Sequence, residues 1–219
     1  RQGEPIPPEL FAHMVLKTKQ IDRIIAWYEA VLGARVVFRN EMICFMTYDH
    51  EHHRIAFIQV PDTVDLPKGS GSVDHFAYSY RDLGELLSTY YRLKDKGILP
   101  VRMINHGPTI SFYYRDPDNV MLELQVDNFD TLESTHAFFH SKEFAENPIG
   151  VFVDPDKLRE KLSRFLLPEP HAYILKLVQW AVAAGASRIK VEVGRRQVIF
   201  AHDGRATDEA AAADWGFFL

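Results

Sequence analysis

Three side chains have the residue types of a divalent metal site. His13 and His75 each lie in a short segment of apolar residues, 62 positions apart, and Glu123 lies in the similar segment 120–126. Two imidazoles and one carboxylate on one face of an octahedral ion leave three positions open, which suits Fe(II) and, less selectively, Mn(II) or Zn(II). These residues therefore predict a metal-binding site in which the ion keeps open coordination positions for a further ligand.

The elements that must position the two histidines form an internal repeat. The first histidine lies in a predicted strand, 10–17, followed by a predicted helix, 20–32, with apolar residues at helical spacing and a glycine at its end. The same order returns around the second histidine, so each half is predicted to fold as β-α-β-β-β, and the two modules are expected to share one sheet-lined cavity. The other predicted elements are strands 35–39, 42–47, 54–60, 74–80, 99–104, 111–115 and 120–126, the loop 61–72 and the helix 83–95.

Strand alternation predicts that Glu123 faces the same cavity. Its neighbours Leu122 and Leu124 are apolar and point to the opposite face, because successive side chains alternate along a strand. An inward-facing carboxylate is costly unless it is paired or bound to a metal ion. A single histidine in a strand is usually a structural residue, but His13 and His75 stand at matching positions of the repeat, which favours a shared role.

Four motifs resemble the second module of the glyoxalase/bleomycin-resistance/extradiol-dioxygenase superfamily, also called the vicinal oxygen chelate proteins. They are Asp74-His75-Phe76, His106-Gly107-Pro108-Thr109, Ser111-Phe112-Tyr113-Tyr114-Arg115-Asp116-Pro117-Asp118 and Leu122-Glu123-Leu124. The resemblance covers about residues 10–150 and implies an α+β fold in which two paired βαβββ modules form a sheet-lined metal cavity. Asn119 stands where the family commonly has a glycine; asparagine tolerates a positive φ, so we expect a shifted turn and an intact site.

Two further features favour the type I extradiol dioxygenases within that superfamily. The segment His52-His53-Arg54-Ile55-Ala56-Phe57 resembles the paired-histidine strand of those enzymes, and Tyr113 stands ten residues before Glu123, at the spacing of their active-site tyrosine. The resemblance implies that His53 is the acid–base residue and that Tyr113 donates a hydrogen bond to the bound substrate. His106 stands seven residues before Tyr113, closer than the corresponding histidine of those enzymes, and we expect it beside the site.

The activity that this resemblance implies is an Fe(II)-dependent cleavage of a catecholic aromatic substrate by O2. A glyoxalase-like lyase or isomerase is an alternative, which would use a fourth protein ligand where Ile58 and Gln59 stand in place of the usual glutamate. A non-catalytic small-molecule binding protein of the same fold is another, and it should lack the ligand set. The paired histidines could also form an ordinary solvated turn, and Tyr113 could be an ordinary strand aromatic.

The composition argues against two classes of binding partner, nucleic acids and anionic membranes. A net charge of −5 and a pI near 6.1 argue against a nucleic-acid or anionic-membrane surface, which would need a clustered basic face. No run of 18 apolar residues is present, and the first residues do not form a signal-peptide core. The single cysteine, Cys44, cannot form an internal disulfide, so we expect a cytoplasmic protein. Because modules of the resembling superfamily pair between chains, we also expect a homodimer.

Residues 151–219 are predicted to form a C-terminal extension beyond the metal-binding domain, 1–150. It is predicted to contain helices at 154–166 and 172–184, a hairpin of strands 188–193 and 197–202, and a short final helix. This part is similar to the helix-strand-strand start of the histidine-kinase/mismatch-repair type ATPase fold. However, Gln179, Trp180 and Ala183 stand where that fold has the polar residues that hold magnesium and ATP, so we expect a packing role.

Overall fold

A computed structural model describes residues 5–64, 73–165, 172–193 and 198–204. The chain divides into two compact units, residues 1–155 and 156–219, and the candidate site lies entirely within the first. Within the described ranges, no helix combines the length and the apolar character that crossing a bilayer requires.

The first module has the predicted β-α-β-β-β order. Its helix packs one apolar face into the core, with Ile24, Tyr28 and Val31 almost fully buried, and ends at Gly33 in the left-handed conformation. The elements are β1 (Met14–Thr18), α1 (Ile21–Leu32), β2 (Arg35–Arg39), β3 (Ile43–Thr47) and β4 (Ile55–Gln59). The four strands form a sheet in the order β1-β4-β3-β2, in which β1 and β4 are parallel.

The second module repeats this order and adds one strand. Its helix begins at the N-cap Asp82, whose side chain accepts a hydrogen bond from the Glu85 backbone. The repeated elements are β5 (His75–Ser79), α2 (Leu83–Asp95), β6 (Arg102–Asn105), β7 (Thr109–Arg115) and β8 (Met121–Asp127), and the added strand is β9 (Val151–Phe152). The strands form a sheet in the order β5-β8-β7-β6-β9, and β5 and β8 are parallel like their counterparts in the first module. The predicted α+β fold of two repeated modules is therefore confirmed.

The chain after β8 returns to the second sheet. Two short helices, α3 (Leu132–Phe139) and α4 (Lys142–Glu146), precede β9 (Val151–Phe152), which pairs antiparallel with β6. Sequence periodicity predicts a short helix at 132–140, which corresponds to α3, but it predicts neither α4 nor β9. The ladder between β6 and β9 lies within the first unit, residues 1–155.

The two modules are joined by a common core and by polar contacts. Leu122 of β8 belongs to the same apolar cluster as Tyr28 and Phe57 of the first module. Gln20, at the start of α1, donates from Nε2 to the Pro117 carbonyl oxygen at 2.8 Å and to Asp118 Oδ1 at 2.6 Å. The turn before β8 is thus held by the helix of the other module.

Asp116 organises that turn from a buried position. Its Oδ1 accepts hydrogen bonds from the Asp118 and Val120 backbones at 2.9 and 2.8 Å, and Tyr28 donates to its Oδ2 at 3.3 Å. Asn119 adopts the expected positive φ, 68°. Burial raises the pKa of Asp116 to about 6, because the surroundings disfavour the charged carboxylate more than the two backbone donors favour it.

We expect this carboxyl group to make unfolding pH-dependent. Its folded pKa lies above the unfolded value of 3.8, so the stability that it contributes is full below that value and is lost as the pH rises through about 6. For Asp116→Asn, the loss of unfolding free energy between pH 4.5 and 7.5 should be smaller than in the wild type by about 2 kcal/mol. Urea titrations at both pH values measure this. The exposed Asp130→Asn is the control and should behave like the wild type. If Asp116→Asn lost as much unfolding free energy between the two pH values as the wild type does, the assignment would be contradicted.

The second unit contains the predicted helices and hairpin. These are α5 (Pro155–Phe165), α6 (Ala172–Ala183), β10 (Ile189–Val193) and β11 (Val198–His202), and β10 and β11 pair antiparallel. The Asp203 carboxylate accepts hydrogen bonds from the Ser187 hydroxyl and from the Ser187 and Arg188 backbones, which closes the base of the hairpin. The predicted final helix lies outside the described residues.

Candidate metal centre

The second sheet places the candidate site residues on one face. Tyr113 pairs across the ladder with Arg102 on one side and Glu123 on the other, so the three side chains form a row. Glu123 in turn pairs with Ala77, and His75 lies two residues before Ala77 on the same face of β5.

A chain of hydrogen bonds connects the side chains of this face. His75 Nε2 lies 2.7 Å from Glu123 Oε2, and the Tyr113 hydroxyl donates to Glu123 Oε1 at 3.0 Å. The same hydroxyl lies 2.8 Å from His106 Nε2, and His106 Nδ1 lies 2.6 Å from the Ile149 carbonyl oxygen. The structure therefore brings together four of the residues singled out from the sequence.

Glu123 is the buried centre of this group. Its side chain is only 7% exposed, while Leu122 and Leu124 point to the other face and are fully buried. Burying a carboxylate in this way is costly unless its oxygens are paired, and here the imidazole of His75 and the hydroxyl of Tyr113 each take one oxygen.

Tyr113 is held as a neutral donor. Burial and the neighbouring Glu123 charge raise the pKa of Tyr113 to about 12. The Arg102 guanidinium stacks over its ring, 4.2 Å from the centroid, and partly opposes that rise. The tyrosine thus keeps its proton at neutral pH and donates it within the site.

Two residues beside His75 have roles that the sequence analysis missed. Asp74 accepts a hydrogen bond from His75 Nδ1 at 2.7 Å and fixes the direction of the imidazole, as carboxylates commonly do for metal-binding histidines. Arg102 lies 3.9 Å from the same carboxylate. The pair Asp74-His75 is a signal that could have identified the first role, whereas Arg102 reaches the site only through the register of β6 with β7.

The other two candidate histidines, His13 and His53, lie together in the first module. His53 packs against His13, with ring centroids 4.3 Å apart, and stacks on Phe45 at 4.7 Å. The Nδ1 atoms of His52 and His53 lie 2.6 Å apart. Desolvation, followed by the neighbouring His13 and His52, lowers the pKa of His53, so its neutral form is favoured.

His13 does not join the group around Glu123 in this structure. Across the described ranges, no three His, Cys, Asp or Glu side chains lie close enough together to hold a metal ion. The candidate residues therefore form two groups, one with His75 and Glu123 in the second module and one with His13 and His53 in the first.

When His13 is aligned with His75 as in the sequence repeat, the strand registers give a first-module counterpart of Glu123. Glu123 pairs with the residue two positions after His75, and the residue two positions after His13, Val15, pairs with Ala56. The counterpart is therefore Ala56, which cannot bind a metal ion, and neither Ile58 nor Gln59. Gln59 instead accepts a hydrogen bond from the Ile21 backbone at 3.0 Å and donates to the Lys19 carbonyl oxygen at 3.0 Å, both at the start of α1.

The His75–Glu123 pair has the chemistry of half a metal site. An imidazole nitrogen and a carboxylate oxygen that meet directly share a proton, and a divalent cation binds the same two lone pairs once that proton leaves. Asp74 would keep the other imidazole nitrogen protonated, which is the tautomer that a ligating histidine needs. The residues present on this face therefore fit a divalent metal ion.

Two proteins of Rhodococcus globerulus are similar to most of the chain. Biphenyl-2,3-diol 1,2-dioxygenase 2 is 43% identical over 154 residues, which are 70% of this chain and 81% of that protein. Biphenyl-2,3-diol 1,2-dioxygenase 3 is 42% identical over 158 residues, 71% of this chain and 82% of that protein. Among solved structures, a glyoxalase/dioxygenase from Nostoc punctiforme covers 59% of this chain and 100% of its own, with 14% identity and a TM-score of 0.49.

A family model matches more than half of the chain. It is described as the Glyoxalase/Bleomycin resistance protein/Dioxygenase superfamily, and it matches residues 10–124. The matched interval begins before His13 and ends just after Glu123, so it spans both modules and every proposed metal ligand. The chain belongs to the glyoxalase/bleomycin resistance protein/dioxygenase superfamily.

Proposed function

We propose that this protein is an Fe(II)-dependent extradiol-type dioxygenase, which cleaves a catecholic aromatic ring beside the two diol carbons. The observation that carries the proposal is the contact of His75, Glu123 and Tyr113 on one face of the second sheet. Identity of 42–43% to two biphenyl-2,3-diol 1,2-dioxygenases supports the same reaction class. O2 is the second substrate, and both of its atoms enter the ring-opened product.

His75, Glu123 and His13 are the proposed ligands of the metal ion. His13 is included because it stands at the position of His75 in the sequence repeat, and its position in the site is part of the proposal. When bound, Fe(II) would supply Lewis acidity toward the diol and a reducing centre for O2. Mn(II) or Zn(II) could occupy the same ligands, since availability decides among divalent ions.

The protein's own side chains have separate roles. Tyr113, which keeps its proton at neutral pH, would donate a hydrogen bond to a diol oxygen. His53, at the edge of the first-module histidine group, would accept the proton of a diol hydroxyl and later return a proton to the product. His106 contacts Tyr113 and would orient its hydroxyl.

The alternatives predict different metal sites. A glyoxalase-like lyase with four protein ligands is disfavoured, because the counterpart of Glu123 is Ala56. The burial of Glu123 does not by itself distinguish a binding protein without metal, because His75 and Tyr113 already pair with both oxygens of this carboxylate. Measuring the metal content of the purified protein separates the binding protein from both enzymes.

We further propose a cytoplasmic homodimer. Edge strand β2 exposes Val36, Val37 and Phe38, and an exposed apolar edge strand is a surface that another chain commonly covers. Cys44 is a buried free thiol, in keeping with a reducing compartment. With a net charge of −5, we propose no nucleic-acid or membrane partner.

A panel of catechols tests the proposed activity. The protein is loaded with Fe(II) without oxygen and then mixed with catechol, 3-methylcatechol and biphenyl-2,3-diol in aerated buffer. We expect a yellow ring-cleavage product and the uptake of one O2 per diol from at least one of them. Failure to form such a product from any diol, together with Fe(II) retention, would refute the dioxygenase assignment and leave the lyase to be tested.

A further inference from the structure

The chain between α4 and the end of β9 packs against the strand and turn that carry His106. We call residues 147–152 the returning segment. The Asn147 side chain closes it, accepting a hydrogen bond from the Gly150 backbone at 3.0 Å and donating to the Gly150 carbonyl oxygen at 2.9 Å. Val151 then pairs with Asn105 in the ladder between β9 and β6.

An aromatic cluster anchors the helices that lead into the returning segment. Phe138 lies between Phe129 and Phe144, with ring centroids 5.5 and 5.8 Å away. The ring of Phe138 also fills the space where a Cβ on Gly107 would lie, directly after His106. The approach of this part of the chain to the His106 turn is therefore fixed by packing as well as by the ladder.

Gly150 permits the closest approach. It has a φ of 90°, and an added Cβ would lie 2.7 Å from His106 Cα and would overlap the Asn105 carbonyl oxygen. Only glycine fits there, so the segment is pressed against the backbone of the residue whose side chain enters the site.

The carbonyl group of Ile149, the residue before Gly150, contacts the imidazole ring of His106. The Ile149 oxygen lies 2.6 Å from His106 Nδ1, and a carbonyl oxygen can only accept, so Nδ1 carries a proton. In the neutral ring, Nε2 is then an acceptor, and it lies 2.8 Å from the Tyr113 hydroxyl. The single hydroxyl proton of Tyr113 therefore has two acceptors within reach, His106 Nε2 at 2.8 Å and Glu123 Oε1 at 3.0 Å, and it is donated to one of them at a time.

We propose that the returning segment is a positioning element of the active site, in which Asn147 and Gly150 hold the Ile149 carbonyl so that it orients His106 toward Tyr113. This inference rests on the proposed function for its catalytic consequence. Its structural part, the fixed His106 ring, stands separately. His106 acts through Tyr113 and has no direct contact with Glu123 in the contacts that the structure describes.

Gly150→Ala tests the inference, with Gly97→Ala as the matched control. Both glycines have a positive φ, but an added Cβ meets nothing within 4 Å at Gly97. The two variants therefore share the backbone strain, and only Gly150→Ala pushes the segment away from His106. We expect kcat with the best diol to fall about 10–100-fold in Gly150→Ala, with little change in KM, the size of effect seen for groups that orient a metal site.

Ring ¹⁵N NMR of the metal-free protein supplies a readout that does not depend on turnover. The wild type and Gly97→Ala should show the Nδ1-protonated tautomer of His106, assigned by its absence from His106→Gln. Gly150→Ala should show a mixture of tautomers. Asn147→Ala removes the two clamping hydrogen bonds without a clash and should show the same change to a smaller extent, which keeps the test valid if Gly150→Ala does not fold.

The outcomes separate the two proposals. An unaltered His106 tautomer in folded Gly150→Ala and Asn147→Ala would overturn the positioning role whatever the activity. Equal losses of kcat in Gly150→Ala and Gly97→Ala would overturn it as well. Absence of ring cleavage by the wild type, with the tautomer change observed, would refute the dioxygenase proposal and retain the positioning of His106.

Discussion

Glu123→Gln should abolish Fe(II) retention and lower kcat/KM for the best diol by at least about 10³-fold, which corresponds to the several kcal/mol that a metal ion supplies in catalysis. The substitution keeps the size and the buried position of the side chain but removes the charge that would balance a cation. An amide could still accept the hydrogen bond from Tyr113, so the sheet should fold normally. Iron analysis after gel filtration and oxygen uptake measure the two effects.

Asp127→Asn is the matched control for this prediction. It makes the same carboxylate-to-amide change on the same strand and face, but at an exposed position. His13→Ala should lose iron as Glu123→Gln does if His13 is the third ligand. Full iron retention by Glu123→Gln would contradict the metal centre, whereas full retention by His13→Ala alone would restrict it to the second module.

His53→Gln should lower kcat by about 10²–10⁴-fold while iron binding is retained, because general acid–base groups contribute on that scale. The residue packs on His13 and Phe45, and its lowered pKa keeps it neutral and able to accept a proton. The loss should therefore lie in turnover, and KM should change little.

His50→Gln is the control for the acid–base assignment, since it is an exposed histidine in the same loop. Its activity should match the wild type. Equal kcat values for His53→Gln and the wild type would exclude His53 as the proton acceptor. A parallel loss of iron in His53→Gln would instead assign it to the metal site.

The sequence predicted the helices and strands well, but it did not predict which residues of neighbouring strands pair with each other. Strand alternation placed Glu123 opposite two buried leucines, as the structure has it. The counterpart in the first module was expected at Ile58 or Gln59, whereas the ladders give Ala56 once His13 is aligned with His75. Ala56 lies 43 residues after His13 and Glu123 lies 48 residues after His75, so spacing along the sequence does not show this match.

Other parts of the site depend on tertiary contacts without a local signal. β9 is two residues long, Val151 and Phe152, which is too short for alternation to be recognised. The stacking of Arg102 on Tyr113 follows from the pairing of two strands, and sequence patterns do not fix that pairing. The distance from His106 to Ile149, 43 positions apart, is likewise set by how the chain returns to the sheet.

The hydrogen bonds from Gln20 to the turn at Pro117 and Asp118 also bear on how this chain can be recombined. After a duplication, two halves are free to diverge separately only while nothing specific links them. Here the turn that leads into the strand of Glu123 is hydrogen-bonded to Gln20 at the start of the helix in the other half. A change on one side of this contact therefore requires a compatible residue on the other side. A chimera that joins the first half of this protein to the second half of a relative should therefore carry Gln20 and Asp118 together.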